Sequence, residues 1–329
     1  MYGFLLMIAI IIILILIVAV VQKSTNAICI SRKRLEGKTV IVTGGTAGMG
    51  LHIATDLADR GAKVIVACPF EKEGINARKQ IVQETENENV IFKLLDLGSL
   101  KSIRKFAADI VQNEDRLDIL INNAGIGVPG DFLTPDGMNF IMQVNYYGAF
   151  LLTLLLLPLL KKSGKKGEPS RILLTTSVLH NIGQVDIDNL NLTNYWFRLQ
   201  IYGNSKLCLV LFGNQLAKEL KGSHVVVNNV DPGAVGTRIF DSGNKVIGFF
   251  LKLVINCMFK TPWLGAQTAL HVALDKKAGE VSGGYFQNCR VSRAVKRAYC
   301  EDTAERLWKE SVTLVQLTKN ELEECLRVL

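Results

Sequence analysis

The chain has 329 residues, 49% of them hydrophobic and 21% charged, with 38 Lys plus Arg against 30 Asp plus Glu. Those proportions exclude a disordered or collagen-like protein and provide enough apolar mass for one large α/β domain or two smaller ones. The formal net charge of +8 suits nucleic acid, anionic lipid or a phosphorylated cofactor alike, because a charge excess attracts at long range without specifying a fold.

The first element in chain order is Met1 to Val21, an uncharged, proline-free run longer than the roughly 18 residues that read as membrane-spanning. It has neither the basic start nor the clean cleavage site of a signal peptide, so it reads as a retained single-pass transmembrane helix. Lys23, Arg32, Lys33 and Arg34 precede the first acid, Glu36, and the positive-inside rule puts the rest of the chain in the cytosol. Residues 22–36 read as a basic juxtamembrane linker beside anionic headgroups, and residues 37–329 as the folded domain.

From Gly37 onward, short β-branched runs alternate with amphipathic stretches: Thr39 to Thr43 then Gly48 to Arg60, Lys63 to Ala67 then Glu71 to Glu84, Val90 to Leu94 then Leu100 to Gln112. Leu117 to Ile121, Arg171 to Thr175 and Val225 to Val230 continue the series. This alternation predicts βαβ units and an α/β fold, a Rossmann-type doubly wound parallel sheet in a single domain. Phe150 to Leu160, with Pro158 inside and Lys161 and Lys162 at its end, reads as a buried helix with a basic C-terminus suited to its dipole. Val246 to Phe259, interrupted by Lys252, is too short to span a membrane comfortably and reads as a core helix or an interfacial lid. The seven cysteines are scattered without a CxxC pair or a Cys/His cluster, which argues against a disulfide framework or zinc site and favours reduced thiols in the cytosol.

The first strand ends in Thr43-Gly44-Gly45-Thr46-Ala47-Gly48-Met49-Gly50 and runs directly into a helix pattern. Glycines there let backbone N–H groups approach a pyrophosphate at the positive end of the helix. After the second strand, Cys68-Pro69-Phe70-Glu71-Lys72 places neither the acid that would bind an NAD ribose nor the arginine that would pair with the NADP phosphate at the usual point. Asp96 after the third strand can accept from an adenine amino group, and Asn122-Asn123-Ala124-Gly125 after the fourth can line a cofactor. Tyr202 and Lys206 stand four apart on a predicted helix, on one face, where a cation lowers a phenol's pKa toward working pH and makes it an acid or base. Ser177, with Thr175 and Thr176 as alternative hydroxyls, can hold the same substrate oxygen.

In this order the motifs resemble the short-chain dehydrogenase/reductase family, over about Gly37 to Trp308. The resemblance implies a catalytic tetrad of Asn145, Ser177, Tyr202 and Lys206: Tyr202 exchanges the proton, Lys206 binds the nicotinamide ribose and tunes the phenol, Ser177 holds the substrate oxygen, and Asn145 positions a relay water. It implies cofactor contacts from Gly44, Gly45, Thr46, Ala47, Gly48, Met49, Gly50, Asp96, Asn123, Tyr202, Lys206 and Thr237, the last in the Asp231-Pro232-Gly233 segment beside the nicotinamide. It implies no metal role for His180, which reads as structural or near the substrate mouth. Within the family, the anchor, Ser177 to His180, Tyr202 to Lys206 and Gly265-Ala266-Gln267-Thr268 are similar to the membrane-anchored retinol dehydrogenase group. Short runs at Thr43, Gly222, Val230 and Phe259 look like polyprenol dehydrogenases, enzymes of dolichol synthesis.

These resemblances imply hydride transfer between NAD or NADP and a lipophilic primary alcohol or aldehyde, a polyprenol or polyprenal, with a retinoid as the alternative. They place the chain in a membrane, that of the endoplasmic reticulum with lipid droplets as a second setting, facing the cytosol and able to form a homodimer. They also put Val246 to Phe259 on the substrate side, as a lid with Lys252 at headgroup level. A silent scaffold is disfavoured because all four tetrad positions are filled. Nucleic-acid binding is disfavoured because the basic residues lack interleaved aromatics. With neither discriminating residue at the end of the second strand, both NAD and NADP are expected to bind. A preference above about a thousandfold, roughly 4 kcal/mol, in paired titrations would reveal a deciding contact, with Lys72 the first residue to replace.

Overall fold

The computed structural model describes residues 26–127, 132–193, 197–236 and 259–327, with positions 13, 17 and 20 of the N-terminal apolar run. Most of the expected anchor, Thr237, and all of the Val246 to Phe259 stretch except Phe259 lie outside these residues.

The strands are β1 (Thr39–Thr43), β2 (Lys63–Cys68), β3 (Val90–Leu94), β4 (Ile119–Asn122), β5 (Ser170–Thr175), β6 (Val225–Asp231), β7 (Tyr285–Gln287) and β8 (Arg290–Ser292). They form one sheet in the order β3-β2-β1-β4-β5-β6-β7-β8, parallel throughout except for the antiparallel β7–β8 pair. The helices are α1 (Gly48–Asp59), α2 (Glu71–Thr85), α3 (Leu100–Asn113), α4 (Phe140–Ser163), α5 (Arg198–Glu219), α6 (Pro262–Leu274), α7 (Glu301–Leu314) and α8 (Lys319–Leu326).

Parallel strands require crossovers, and the crossovers cover both faces of the sheet with helices. β1 shows the consequence in its period-two pattern: Ile41 packs into the cluster under α3, α4 and α5, whereas Val40 and Val42 pack into the cluster under α1 and α6. The strands therefore read as nearly continuous apolar runs, and the doubly wound sheet predicted from the alternation is present. α4 is long and apolar enough to cross a membrane, yet 89% of its most apolar window is buried inside the domain. It is the core helix predicted around Phe150 to Leu160, tolerating Pro158 within it.

The N-terminal segment differs from a free linker. From Cys29 onward it is strapped to the domain: the Cys29 N–H donates to Gln267 Oε1 at 3.1 Å, and Ser31 Oγ donates to the Leu274 carbonyl at 3.3 Å. The Arg60 guanidinium holds the Ser31 and Lys33 carbonyls, and Leu35 is buried. Lys33 pairs with Glu168 at 3.6 Å and Arg34 with Glu36 at 2.7 Å, so two of the charges expected to face headgroups have carboxylate partners within the protein.

β1 borders both β2 and β4, so the chain reverses its direction of winding between β1 and β4. The turns leaving these two strands meet there: the Asn123 side chain donates to the Thr43 carbonyl at 3.0 Å, and the Asn123 and Ala124 N–H groups both donate to Thr43 Oγ1 at 3.0 Å. A Cβ on Gly50 would stand 2.1 Å from the Gly44 carbonyl oxygen and 2.5 Å from Asn123 Nδ2. Gly50→Ala is therefore expected to cost about 1–3 kcal/mol through overpacking and to weaken cofactor binding, read by thermal melting and nicotinamide titration. An unchanged Tm would mean that the two turns can separate.

Candidate active site

At the C-terminal ends of the central strands is a cavity of about 400 Å³, lined by Met49, Asn123, Gly125, Ser177, Tyr202 and Lys206 among others. Ligands of open α/β sheets bind in this position, at the reversal of winding. Each wall follows from local structure. Ser177 leaves β5 and caps a short 3₁₀ turn, its Oγ accepting from the Leu179 N–H at 3.2 Å. α5 presses against that turn at Gly203, where a Cβ would stand 2.8 Å from the Leu179 carbonyl. Tyr202 and Lys206, one turn apart on α5, thereby face Ser177.

The three hydroxyls after β5 now separate. Thr176 Oγ1 donates to the Val230 carbonyl at 3.1 Å, and Thr175 Oγ1 is buried without a partner among the described residues. Ser177 carries the hydroxyl that hydrogen-bonds Tyr202.

The electrostatics depart from the expectation that Lys206 depresses the phenol. Burial raises the Tyr202 pKa above its usual value, the Ser177 hydrogen bond works against that, and the Asp231 charge adds to it. The Lys206 ammonium stands 5.7 Å from the Tyr202 ring centroid, over the ring instead of at the hydroxyl end. Burial also acts on the lysine itself, lowering it from 10.5 to about 8. Among the described residues the ammonium donates to the Thr175 carbonyl at 3.0 Å.

Asn145 lies directly behind the wall, in a π turn over Gln143–Tyr147 inside α4, an irregularity often found at functional sites. Its Oδ1 accepts from the Ile126 N–H at 2.8 Å, while its Nδ2 donates to the Ile126 carbonyl at 3.0 Å and to Ser205 Oγ at 3.1 Å. Both amide hydrogens are committed, so the side chain braces the cavity wall against α5 and retains one oxygen lone pair.

The predicted cofactor residues divide. Met49 and Asn123 reach the cavity, Gly44, Gly45 and Gly50 build the turn beneath it, and Thr46, Ala47 and Gly48 lie along that turn outside the lining. Asp96 stands apart, exposed, its carboxylate accepting from the Gly98 N–H at 2.8 Å. Lys72 is exposed on the first turn of α2 between Glu71 and Glu73. The lining also includes Ile126, Leu199, Val235 and Phe259, which come from four separate segments and have no shared sequence signature. A nicotinamide dinucleotide fits these groups: an ammonium desolvated with spare hydrogens, a buried Asn123 Oδ1 without a protein partner among the described residues, and a turn at which Gly44 and Gly48 take positive φ.

The short chain dehydrogenase family model matches residues 38–246. The chain is 40% identical over 305 residues to human (Homo sapiens) retinol dehydrogenase 13, covering 91% of each, and 38% identical over 318 residues to retinol dehydrogenase 11 of Mus musculus, covering 96% of this chain and 99% of that one. Among solved structures, the Pseudomonas aeruginosa RhlG/NADP active-site complex superposes with a TM-score of 0.61 at 25% identity, over 77% of this chain and 95% of that one. The chain belongs to the short-chain dehydrogenase/reductase family and is an NAD(P)-dependent oxidoreductase.

The buried lysine yields a signed pH dependence. Between about pH 8 and 10.5 the unfolded chain still holds a proton that the folded chain has released, so stability rises with pH across that window. Relative to Lys206→Met, the cofactor-free protein should gain up to about 1.4 kcal/mol per pH unit in denaturant unfolding. Parallel stability curves would mean that water reaches the ammonium.

Proposed function

We propose that the chain is a membrane-anchored oxidoreductase of lipophilic primary alcohols and aldehydes, favouring a long polyprenol and its aldehyde. The observation that supports it is the course of the N-terminal strap. It runs along α6 from Leu274 to Gln267, toward the end of α6 at which Gly265 packs against Val235 and Met49 of the cavity lining. The cavity has an apolar share to its lining, with Val178, Leu179, Leu199, Val235 and Phe259 in it. An anchor at Met1 to Val21 would thus deliver the cavity to the bilayer, which a polyisoprenoid cannot leave cheaply at about 0.8 kcal/mol per exposed methylene. The retinoid reading is favoured by the names of the relatives, retinol dehydrogenases 13 and 11.

In this mechanism Ser177 Oγ and Tyr202 Oη hold the substrate oxygen, and Tyr202 donates its proton during carbonyl reduction or accepts one during alcohol oxidation. Burial keeps the phenol protonated in the unliganded site, suited to the donor role. A bound nicotinamide dinucleotide supplies or receives the hydride. Lys206 would hold its ribose and lend positive charge beside the phenol, Asn145 keeps the Ile126 wall and α5 in register, and Pro232 and Gly233 of the lining would meet the nicotinamide. The chain's contribution is position, proton exchange and exclusion of water.

The test is full-length protein in liposomes with NAD and NADP against polyprenol, a short isoprenoid alcohol and retinol. A higher kcat/KM for polyprenol is expected, and a higher value for retinol would replace the polyprenol reading with the retinoid one. Tyr202→Phe in the same assay should lose about 10²–10⁴-fold with nicotinamide binding nearly intact. Retention of more than about a tenth of activity would remove Tyr202 from the proton step.

A further inference from the structure

Behind the cavity, buried polar side chains connect two walls that are distant in sequence. His180, fully enclosed, has its Nδ1 2.7 Å from the Ser177 carbonyl and its Nε2 3.1 Å from the Val295 N–H. A backbone N–H can only donate and a carbonyl can only accept, so the ring is the neutral tautomer with its proton on Nδ1. Tyr285 lies against that ring, its hydroxyl 3.4 Å from Nδ1, and donates to Asp231 Oδ2 at 2.7 Å. Asp231, 1% exposed, accepts from the Gln287 amide at 3.1 Å and, through Oδ1, from the Gly233 N–H at 2.8 Å. The contacts thus run from Ser177, which faces the substrate oxygen, to Pro232 and Gly233 on the opposite wall.

We propose that Asp231 is a positioning residue for the reaction: it fixes the spacing between the Ser177 and Gly233 walls through Tyr285 and His180, and presents a buried negative charge toward the reacting phenol. The proposal rests on the reading of Tyr202 as the proton-exchanging group. Among the described residues the charged and titratable groups around that phenol are few. Lys206 lies on its own helix, Ser177 and neutral His180 on the turn after β5, Asp231 on β6 and Tyr285 on β7, while Lys260 packs on Gly233 and is held at 2.6 Å by Asn288. Among the described residues Asp231 is thus the anion acting on Tyr202, and a carboxylate disfavours a second negative charge beside it. This agrees with the upward push that Asp231 exerts on Tyr202. An aspartate here costs the burial of a charge, and the Tyr285, Gln287 and Gly233 donors offset that cost.

The experiment uses full-length protein with oxidised cofactor bound. It follows tyrosinate absorbance against pH, with the step missing in Tyr202→Phe assigned to Tyr202, beside the pH profile of alcohol oxidation. In Asp231→Asn, nearly isosteric but uncharged, that step and the rising limb of the rate profile should both move to lower pH by about half a unit or more. A purely structural aspartate would lower activity without moving either midpoint, and an unmoved midpoint in folded Asp231→Asn overturns the proposal. Where that variant fails to fold, Tyr285→Phe serves instead: it keeps the carboxylate and removes a donor that screens it, so the step should move to higher pH, and a stationary step overturns the proposal. A spectroscopic step that moves while the rate limb stays fixed would uphold Asp231 and remove Tyr202 from the chemistry.

Discussion

The contact on which the rest of the molecule depends is the close approach of two turns at the reversal of winding. Thr43 serves as the hub: its carbonyl and hydroxyl take three hydrogen bonds from the Asn123-Ala124 backbone and side chain. Gly50 closes the arrangement by having nothing to place between Gly44 and Asn123. This locks the crossover after β1 to the end of β4, and so sets the floor over which Ser177, Tyr202 and Lys206 converge. Buried carboxamides and hydroxyls are costly unless satisfied. Here the Thr43 hydroxyl and Asn123 Nδ2 are satisfied by backbone groups of the facing turn, which gives the floor a single arrangement and leaves Asn123 Oδ1 without a partner among the described residues.

Above that floor the site is an electrostatic contest decided by burial. Lys206 has given up most of its hydration for one carbonyl, and Tyr202 is pushed away from ionisation by the same enclosure. Each group is moved toward its neutral form relative to a solvated Tyr–Lys pair, the phenol upward and the ammonium down to about 8. Both are poised to change when a polar molecule replaces the missing water, because in a low dielectric a new charge or dipole counts for more than it would at the surface. The resting cavity thus holds its acid protonated and its cation short of partners.

Much of this was legible in the sequence. The β-branched runs separated by amphipathic helices specify a parallel sheet almost by necessity, since each strand must be buried on both faces. The Gly-rich turn, Asn123 and the Tyr202–Lys206 pair could be located because their chemistry is local or their spacing follows the helix period, whereas Ser177 among its neighbouring hydroxyls and Asn145 were picked out by the resemblance to the family. Three features could not be read this way. β7 and β8 are three-residue strands, too short to show a period. The charge balance around Tyr202 depends on how deeply α5 is buried, which spacing does not encode. The His180–Tyr285–Asp231 chain joins positions up to 105 residues apart, and nothing near any of them in sequence marks the others. Asp96 is a position picked out by motif order, and its Oδ1 accepts from the Gly98 N–H in its own turn.

The strap along α6 has a mechanical consequence. Cys29 is pinned to Gln267, and on the proposed anchor only residues 22–28 separate that pin from the end of the apolar run. Fully extended, seven residues reach at most about 25 Å, comparable with the ~19 Å radius of gyration expected for a domain of this size. With that anchor in a bilayer, a leash so short would not permit free tumbling above it. It would confine the catalytic body to a narrow range of orientations and make the search for a lipid alcohol two-dimensional. Local concentration at the cavity would then be set by lipid composition and leash length, the arithmetic of a tethered reaction and not of a dissolved one.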